Sequence, residues 1–287
     1  MAKNILHTIE KNMISFSKGQ KLIAKYILEN YDKAAFMTAS KLGRTVQVSE
    51  STVVRFAAQL GYDGYPSMQR ALQEMIRGKL TSIQRIQASD VVLSGSDLVT
   101  NVLHRDMDKI RMAIDQIDAA EFERVVDTIC GAKRLYIVGF RSSSFLAGYL
   151  NFYLRLIFEN VTLVQGGSAG TFDQIFRVGP EDVVFAICFP RYSELALKTI
   201  QFARERGASV TGLTDSEMSP VARLSDCTLL VHNEMISFVD SLAAPMSMLN
   251  ALILACARKK GTDVSASFSE LEHVWERFAI FGKVEDE

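Results

Sequence analysis

The sequence predicts two domains of different class: an all-α N-terminal domain, then an α/β domain on a five-stranded parallel, doubly wound sheet. Three observations carry that prediction. Residues 1–77 place apolar side chains at helical spacing throughout. Beyond Gly131, five short apolar or β-branched runs are mostly separated by helical patterns, the texture of buried parallel strands with right-handed crossovers. Charge divides along the same line: residues 1–80 carry 12 Lys and Arg against 6 Asp and Glu, and the remaining 207 carry 20 against 27. The net charge of -1 hides this split. A basic lobe joined to an acidic one points to a polyanionic partner for the first, the alternative being a merely solvated face.

A length of 287 residues accommodates two domains, and 48% hydrophobic with 23% charged residues excludes collagenous and broadly disordered classes. No charge-free run reaches the roughly 20 residues that span a bilayer, and the first residues lack a basic stretch followed by an apolar signal core. A cytoplasmic protein without a membrane partner is expected. Cys130, Cys188, Cys227 and Cys256 are isolated in sequence, and His7, His104, His232 and His273 lack metal-ligand spacing. Buried free thiols are expected, with no metal and no cofactor.

In chain order, Ile5, Ile9, Met13 and Phe16 outline a first helix, and Ser17 to Gln20 form a capping box ahead of Leu22, Ile23, Tyr26 and Ile27. Small and polar residues from Gly78 to Asp97 read as a linker. Leu98, Val102, Ile110, Ile114 and Ile117 give a connecting helix; Phe122, Val125, Val126 and Ile129 give another, ended by Gly131. The expected domains are therefore 1–77, a linker with its helix over 78–118, and 119–287. Strands are expected at 135–138, 161–164, 183–187, 209–213 and 228–231, and helices at 144–158 and 194–206. The apolar stretch from Ser241 to Ala257 suits a helix packed in the core or against another subunit.

Residues 37–60 fit a helix-turn-helix. A short helix over about Thr38 to Arg44 meets a turn at Thr45 to Val48; Ser49 N-caps a second helix running to Leu60, with Gly61 as terminator. Leu42, Val46, Val48, Val53 and Phe56 face inward, and Gly43 lets the helices approach closely. Glu50, Ser51, Thr52, Arg55 and Gln59 fall on the other face. A helix entering the major groove needs short polar groups near its N-terminus and a long donor for guanine or phosphate. Ser51, Thr52 and Arg55 are the candidate base readers, and Lys41, Arg44 and Ser49 the candidate backbone contacts. An ordinary helical bundle with a polar outer face is the alternative.

The run Val48 to Phe56, with Leu60-Gly61-Tyr62 and Gly64-Tyr65, resembles the signature of the RpiR family of bacterial transcriptional regulators. The resemblance implies an N-terminal helix-turn-helix joined to a C-terminal sugar isomerase (SIS) domain, a flavodoxin-type sheet that senses phosphosugars without turning them over. Gln47 departs from it, standing in a turn position where the family often has Gly; left-handed backbone there would strain Gln.

Doubly wound sheets bind small ligands at the carboxyl ends of their strands. Two loops stand there, Gly139 to Ser144 and Cys188 to Ser193. The resemblance implies Gly-x-Gly-x-Ser and Ser-x-Ser-Gly-x-Thr/Ser cradles for a sugar phosphate. Gly139, Ser143 and Ser193 match these patterns, Arg141 replaces the second glycine, and Cys188, Pro190 and Arg191 replace serine, serine and glycine. The arginines supply bidentate anion binding, fill the cleft, or pair across a subunit boundary. Arg141, Ser142, Ser143, Arg191, Ser193 and Asp240 are the candidate ligand residues. Thr214-Asp215-Ser216 resembles a third loop, and Glu234 and Asp240 follow the last strand, where isomerases of the fold place acid/base groups; no catalytic role is assigned to them.

These readings combine into a ligand-responsive DNA-binding regulator. Its expected partners are a double-stranded DNA operator, a small anionic sugar-derived effector, and further copies of the chain as a homodimer or homotetramer. An aldose-ketose phosphate isomerase with a helical accessory domain is the alternative, and an oligomerising scaffold a third option.

Overall fold

In the computed structural model, which describes residues 5–76, 83, 85–86, 97–233 and 238–281, the chain divides into two units, Met1–Gly95 and Ser96–Glu287. The N-terminal unit contains α1 (Ile5–Asn12), α2 (Lys18–Glu29), α3 (Tyr31–Ala34), α4 (Ala39–Thr45), α5 (Glu50–Gln59) and α6 (Tyr65–Ile76). Ser17 and Gln20 form the expected capping box at the start of α2. The periodic apolar positions converge on one core: Ile9, Ile23, Ile27, Leu42, Val53, Phe56, Met68 and Leu72 are fully buried, and the rings of Phe16 and Phe56 lie 5.0 Å apart. Val46 and Val48 of the turn are half-buried. The Tyr65 hydroxyl and the Gln69 amide both donate to Met37 O, at 2.6 and 2.9 Å, and so clamp α6 to the segment before α4. Burial pushes the Tyr65 phenol up to about 12.

The second unit contains α7 (Leu98–Gln116), α8 (Ala119–Cys130), β1 (Leu135–Gly139), α9 (Ser143–Leu154), β2 (Val161–Val164), α10 (Ser168–Ile175), β3 (Val183–Ile187), α11 (Glu194–Glu205), β4 (Ser209–Thr214), α12 (Pro220–Leu224), β5 (Cys227–Leu230), α13 (Ala243–Lys260) and α14 (Thr262–Arg277). The strands pair in parallel in the order β2-β1-β3-β4-β5, the doubly wound sheet expected from the alternation of runs. Period-2 alternation splits the core in two. Leu135 and Ile137 point to the face covered by α8, α9 and α13, with Val126, Leu150 and Leu252. Tyr136 and Val138 point to the face covered by α10, α11 and α12, with Ile175, Ile200 and Val221. At the amino edge of the sheet, the buried Asp182 carboxylate accepts two bonds from Arg134, at 2.9 and 2.6 Å, and one from Gly179 N at 2.8 Å.

Three features differ from the sequence reading. The helix over 98–116, read as a connection, belongs to the second unit: Ile110 and Ala113 pack on its core, and Ser241 Oγ donates to Asp106 Oδ1 at 2.6 Å. Helices α10 and α14 were not expected. Val264, Phe268, Leu271 and Trp275 form a half-buried stripe at helical spacing in α14, a signal present in the sequence. The helix expected to reach Phe158 stops at Leu154. The linker expected over 78–97 falls almost entirely outside the described residues. Among those residues no helix is long and apolar enough to cross a membrane, and no group of three or more His, Cys, Asp or Glu side chains is placed to hold a metal. Cys188, Cys227 and Cys256 are buried, Cys130 is half-buried, and all four are free thiols.

Candidate functional site

Helices α4 and α5 are held close by their turn. Thr38 caps α4 by accepting from Lys41 N at 3.2 Å, and Ser49 caps α5 by accepting from Thr52 N at 3.3 Å. Between them Val48 N donates to Gly43 O at 2.8 Å. A Cβ at Gly43 would lie 2.8 Å from Val48 O, so no larger residue fits without moving backbone. Gln47 has φ 58°, so the left-handed turn is built here with Gln where glycine is unstrained.

Lys41, Arg44, Ser49, Ser51 and Arg55 are all exposed, and Thr52 is half-buried. Ser49 Oγ lies 2.9 Å from Ser51 Oγ and 2.8 Å from Thr52 Oγ1, which knits the three hydroxyls together at the start of α5. The Thr52 methyl lies 3.5 Å from where a Gly19 Cβ would sit, so this residue leans toward α2. Gln59 also turns to α2, accepting from Gln20 Nε2 at 2.6 Å. Arg55 Nε donates to Ser51 O at 3.3 Å, holding the guanidinium back along the helix toward its N-terminus. The outward stripe of α5 is therefore Ser51, Val54, Arg55 and Ala58, all exposed. Sequence reasoning passed over Val54 and Ala58 because it weighed only polar side chains.

In the second unit β1 and β3 are neighbours, with Gly139 opposite Ile187, so their loops leave the carboxyl edge side by side. The strand order reverses between them, and that switch point is where doubly wound sheets accept ligands. Gly139 is needed for close packing: a Cβ there would lie 2.6 Å from Ser143 O and 2.8 Å from Ala147 Cβ. Arg141 has φ 57° and its carbonyl accepts from Ser144 N at 3.0 Å and Ser144 Oγ at 2.6 Å. The loop thus keeps a left-handed backbone at Arg141 and presents an exposed guanidinium there. Ser142 Oγ donates to Asp240 Oδ2 at 3.2 Å, which joins the β1 loop to the segment before α13. Ser143 is buried at the start of α9.

In the β3 loop the buried Cys188 thiol accepts from Ser193 N at 3.3 Å. Burial, more than that bond offsets, pushes the thiol up to about 11. Ser193 Oγ caps α11, accepting from Ala196 N at 3.4 Å, and Arg191 is exposed. Tyr192 OH donates to Asp215 Oδ1 at 2.8 Å, so the β4 loop joins the group. The structure thus brings Ser142 to Asp240 and sets Arg141, Ser143, Arg191 and Ser193 on adjacent strand ends. It adds Tyr192 as a positioning residue that the sequence reading did not single out. Asn233, buried beyond β5, has an Oδ1 without a hydrogen-bond partner among the described residues. Glu234, expected nearby, lies outside them. Clefts of about 600 and 360 Å³ run along α8 and α13 and contain none of these loop residues.

A helix-turn-helix domain model of the rpiR family matches residues 3–79, and a SIS domain model matches residues 128–255. The chain belongs to the RpiR family. As an RpiR-family protein it is a transcriptional regulator with a DNA-binding helix-turn-helix and a SIS domain. It is 26% identical to an HTH-type transcriptional regulator of Clostridium perfringens over 78% of this chain and 80% of that one. It is 24% identical to the HTH-type transcriptional regulator HexR of Pseudomonas aeruginosa over 91% and 92%. Two solved structures share the fold of the RpiR-family chain. The sugar isomerase domain of the RpiR transcription factor from Sphaerobacter thermophilus is 24% identical, with a TM-score of 0.59 over 62% of this chain and 99% of that one. The Vibrio vulnificus NanR protein, complexed with ManNAc-6P, is 23% identical, with a TM-score of 0.59 over 97% and 100%.

Proposed function

We propose that this regulator is ligand-responsive: its SIS domain binds a small anionic sugar metabolite, a phosphosugar or sugar acid, and binding shifts affinity for a DNA operator. The observation that carries the reading is the β1 loop. A left-handed backbone at Arg141 is kept at a cost of about 1–2 kcal/mol for a non-glycine residue, and strain of this kind collects at functional sites. Arg141 and Arg191 supply the charge that captures the anion, Ser142, Ser143 and Ser193 supply hydroxyl and backbone donors at two helix starts, and Asp240 accepts from sugar hydroxyls. NanR, which shares the fold, was solved with a phosphosugar. Ser51 and Arg55 read bases and Lys41, Arg44 and Ser49 hold the DNA backbone, while Thr52, turned toward α2, steadies Ser49 at the start of α5.

Helix α7 supports a homo-oligomer. None of its 19 residues is buried, yet Val99, Leu103, Met107 and Ile114 are each more than half exposed along it. A subunit contact removes such a stripe from water.

Thermal-shift titration of the full chain against sugar phosphates, sugar acids and neutral polyols tests the ligand class, since a ligand of the native state raises its apparent stability. An anionic sugar is expected to raise the melting temperature and to change the affinity for DNA recovered by selection from random duplexes. Arg191→Ala is expected to abolish both responses with basal DNA binding intact. Response to neutral polyols alone, or isomerisation of the phosphosugars at ordinary enzymatic rates, would overturn the proposal.

A further inference from the structure

We infer that Val54 reads the methyl group of a thymine in each operator half-site, with Ala58 beside it on the same face; this rests on the helix-turn-helix reading bases at all. Val54 is 41% exposed and sits between Ser51 and Arg55 on the outward stripe of α5, at the fifth position of the helix. The valine has no partner role in the core, which Val53, Phe56 and Ala57 already serve from the opposite face. Glu50 is the sole acidic residue of α5; it is exposed one turn before Val54, at the start of the helix, while Ser51, Val54, Arg55 and Ala58 themselves carry no carboxylate.

The two apolar side chains are flanked by groups already oriented. Ser51 is tied to Ser49, and Arg55 Nε is committed to Ser51 O, which leaves the guanidinium's Nη groups as its remaining donors. Guanine offers two acceptors in the major groove to such a fork, and thymine offers a C5-methyl to an apolar side chain. Residues three and four apart share a helix face, so Val54 and Arg55 each neighbour Ser51 and lie on either side of it.

The test begins with a consensus selected from random duplex DNA by the full chain. Each thymine is then replaced singly by deoxyuridine, which removes one methyl and leaves Watson–Crick pairing intact. Burial of one methyl is worth about fourfold in affinity. Wild type is expected to lose about fourfold at one thymine per half-site. Val54→Ala is expected to bind thymine and uracil duplexes equally at that position and to keep the wild-type preference at any other. Because the side chain is exposed, circular dichroism and melting of the variant should match wild type. A consensus in which every thymine tolerates uracil overturns the role of Val54 and leaves the DNA-binding reading standing; this arm needs only wild-type protein. An unchanged thymine-to-uracil ratio in Val54→Ala overturns it equally. Failure to recover any consensus defeats base reading itself, and the inference with it.

Discussion

Replacing Gly43 by alanine tests the geometry on which the DNA-binding unit depends. The added Cβ would lie 2.8 Å from Val48 O, 3.4 Å from Glu50 N and 3.5 Å from Ser49 C, all of them backbone atoms of the turn and of the cap of α5. Relief requires the turn to retreat by roughly half an ångström, against the Val48 N to Gly43 O bond of 2.8 Å and the Ser49 cap. Overpacking of this kind costs about 1–3 kcal/mol. A Gly to Ala change inside a helix returns about 1 kcal/mol. The net expectation is a loss of up to about 2 kcal/mol, read by urea denaturation, with weaker operator binding because α5 moves relative to α4. Gly148, in the middle of α9, is the internal control: a Cβ there meets nothing within 4 Å, so Gly148→Ala should stabilise by up to about 1 kcal/mol. If Gly43→Ala proves as stable as wild type and binds DNA equally well, the close approach is not what holds the two helices in register.

Other perturbations follow from the same structure. Gln47→Gly should stabilise by about 0.5 kcal/mol, since relief of about 1–2 kcal/mol of left-handed strain outweighs the added freedom of the unfolded chain; Gln47→Val should destabilise, and equilibrium unfolding ranks the three. Tyr65→Phe should cost about 1 kcal/mol, because Met37 O keeps its bond from Gln69 but loses the phenol. Folding raises the Tyr65 pKa from 10.0 to about 12, so it favours the protonated phenol. That contribution is complete below pH 10 and lost as pH rises through about 12, and a pH series of melts should show this loss in wild type and its absence in Tyr65→Phe. Asp182→Ala should cost about 2–3 kcal/mol, below the full value of a broken buried pair because the Arg134 side chain is 39% exposed. Its ligand response should survive, since the pair sits at the opposite edge of the sheet from the candidate loops. Arg55→Ala should weaken specific DNA binding by about 1–3 kcal/mol, measured by mobility shift at stated salt, with ligand titration unchanged.

The helix-turn-helix was legible because its signals are local. The cap at Ser49, the inward run of Leu42, Val53 and Phe56, and the small residue at Gly43 each act within one or two turns of chain. The strands were legible for a similar reason, since runs such as Val183 to Ile187 are buried on both faces and carry no alternation to confuse. Helix α14 escaped because its stripe is only half-buried and mixed with polar residues. Val54 escaped because an exposed valine has no meaning until the direction of α5 is known.

Residue order by itself determined the two-domain plan, the helix-turn-helix, and the two loops whose arginines depart from the glycine and serine cradle. Tertiary structure decided what those residues face. It turned Thr52 and Gln59 toward α2, left Val54 and Ala58 outward, joined Ser142 to Asp240 across 98 residues of chain, and Tyr192 to Asp215. Capping, periodicity and turn strain depend on neighbours in sequence, whereas the company a side chain keeps depends on how distant segments pack, which no local pattern encodes.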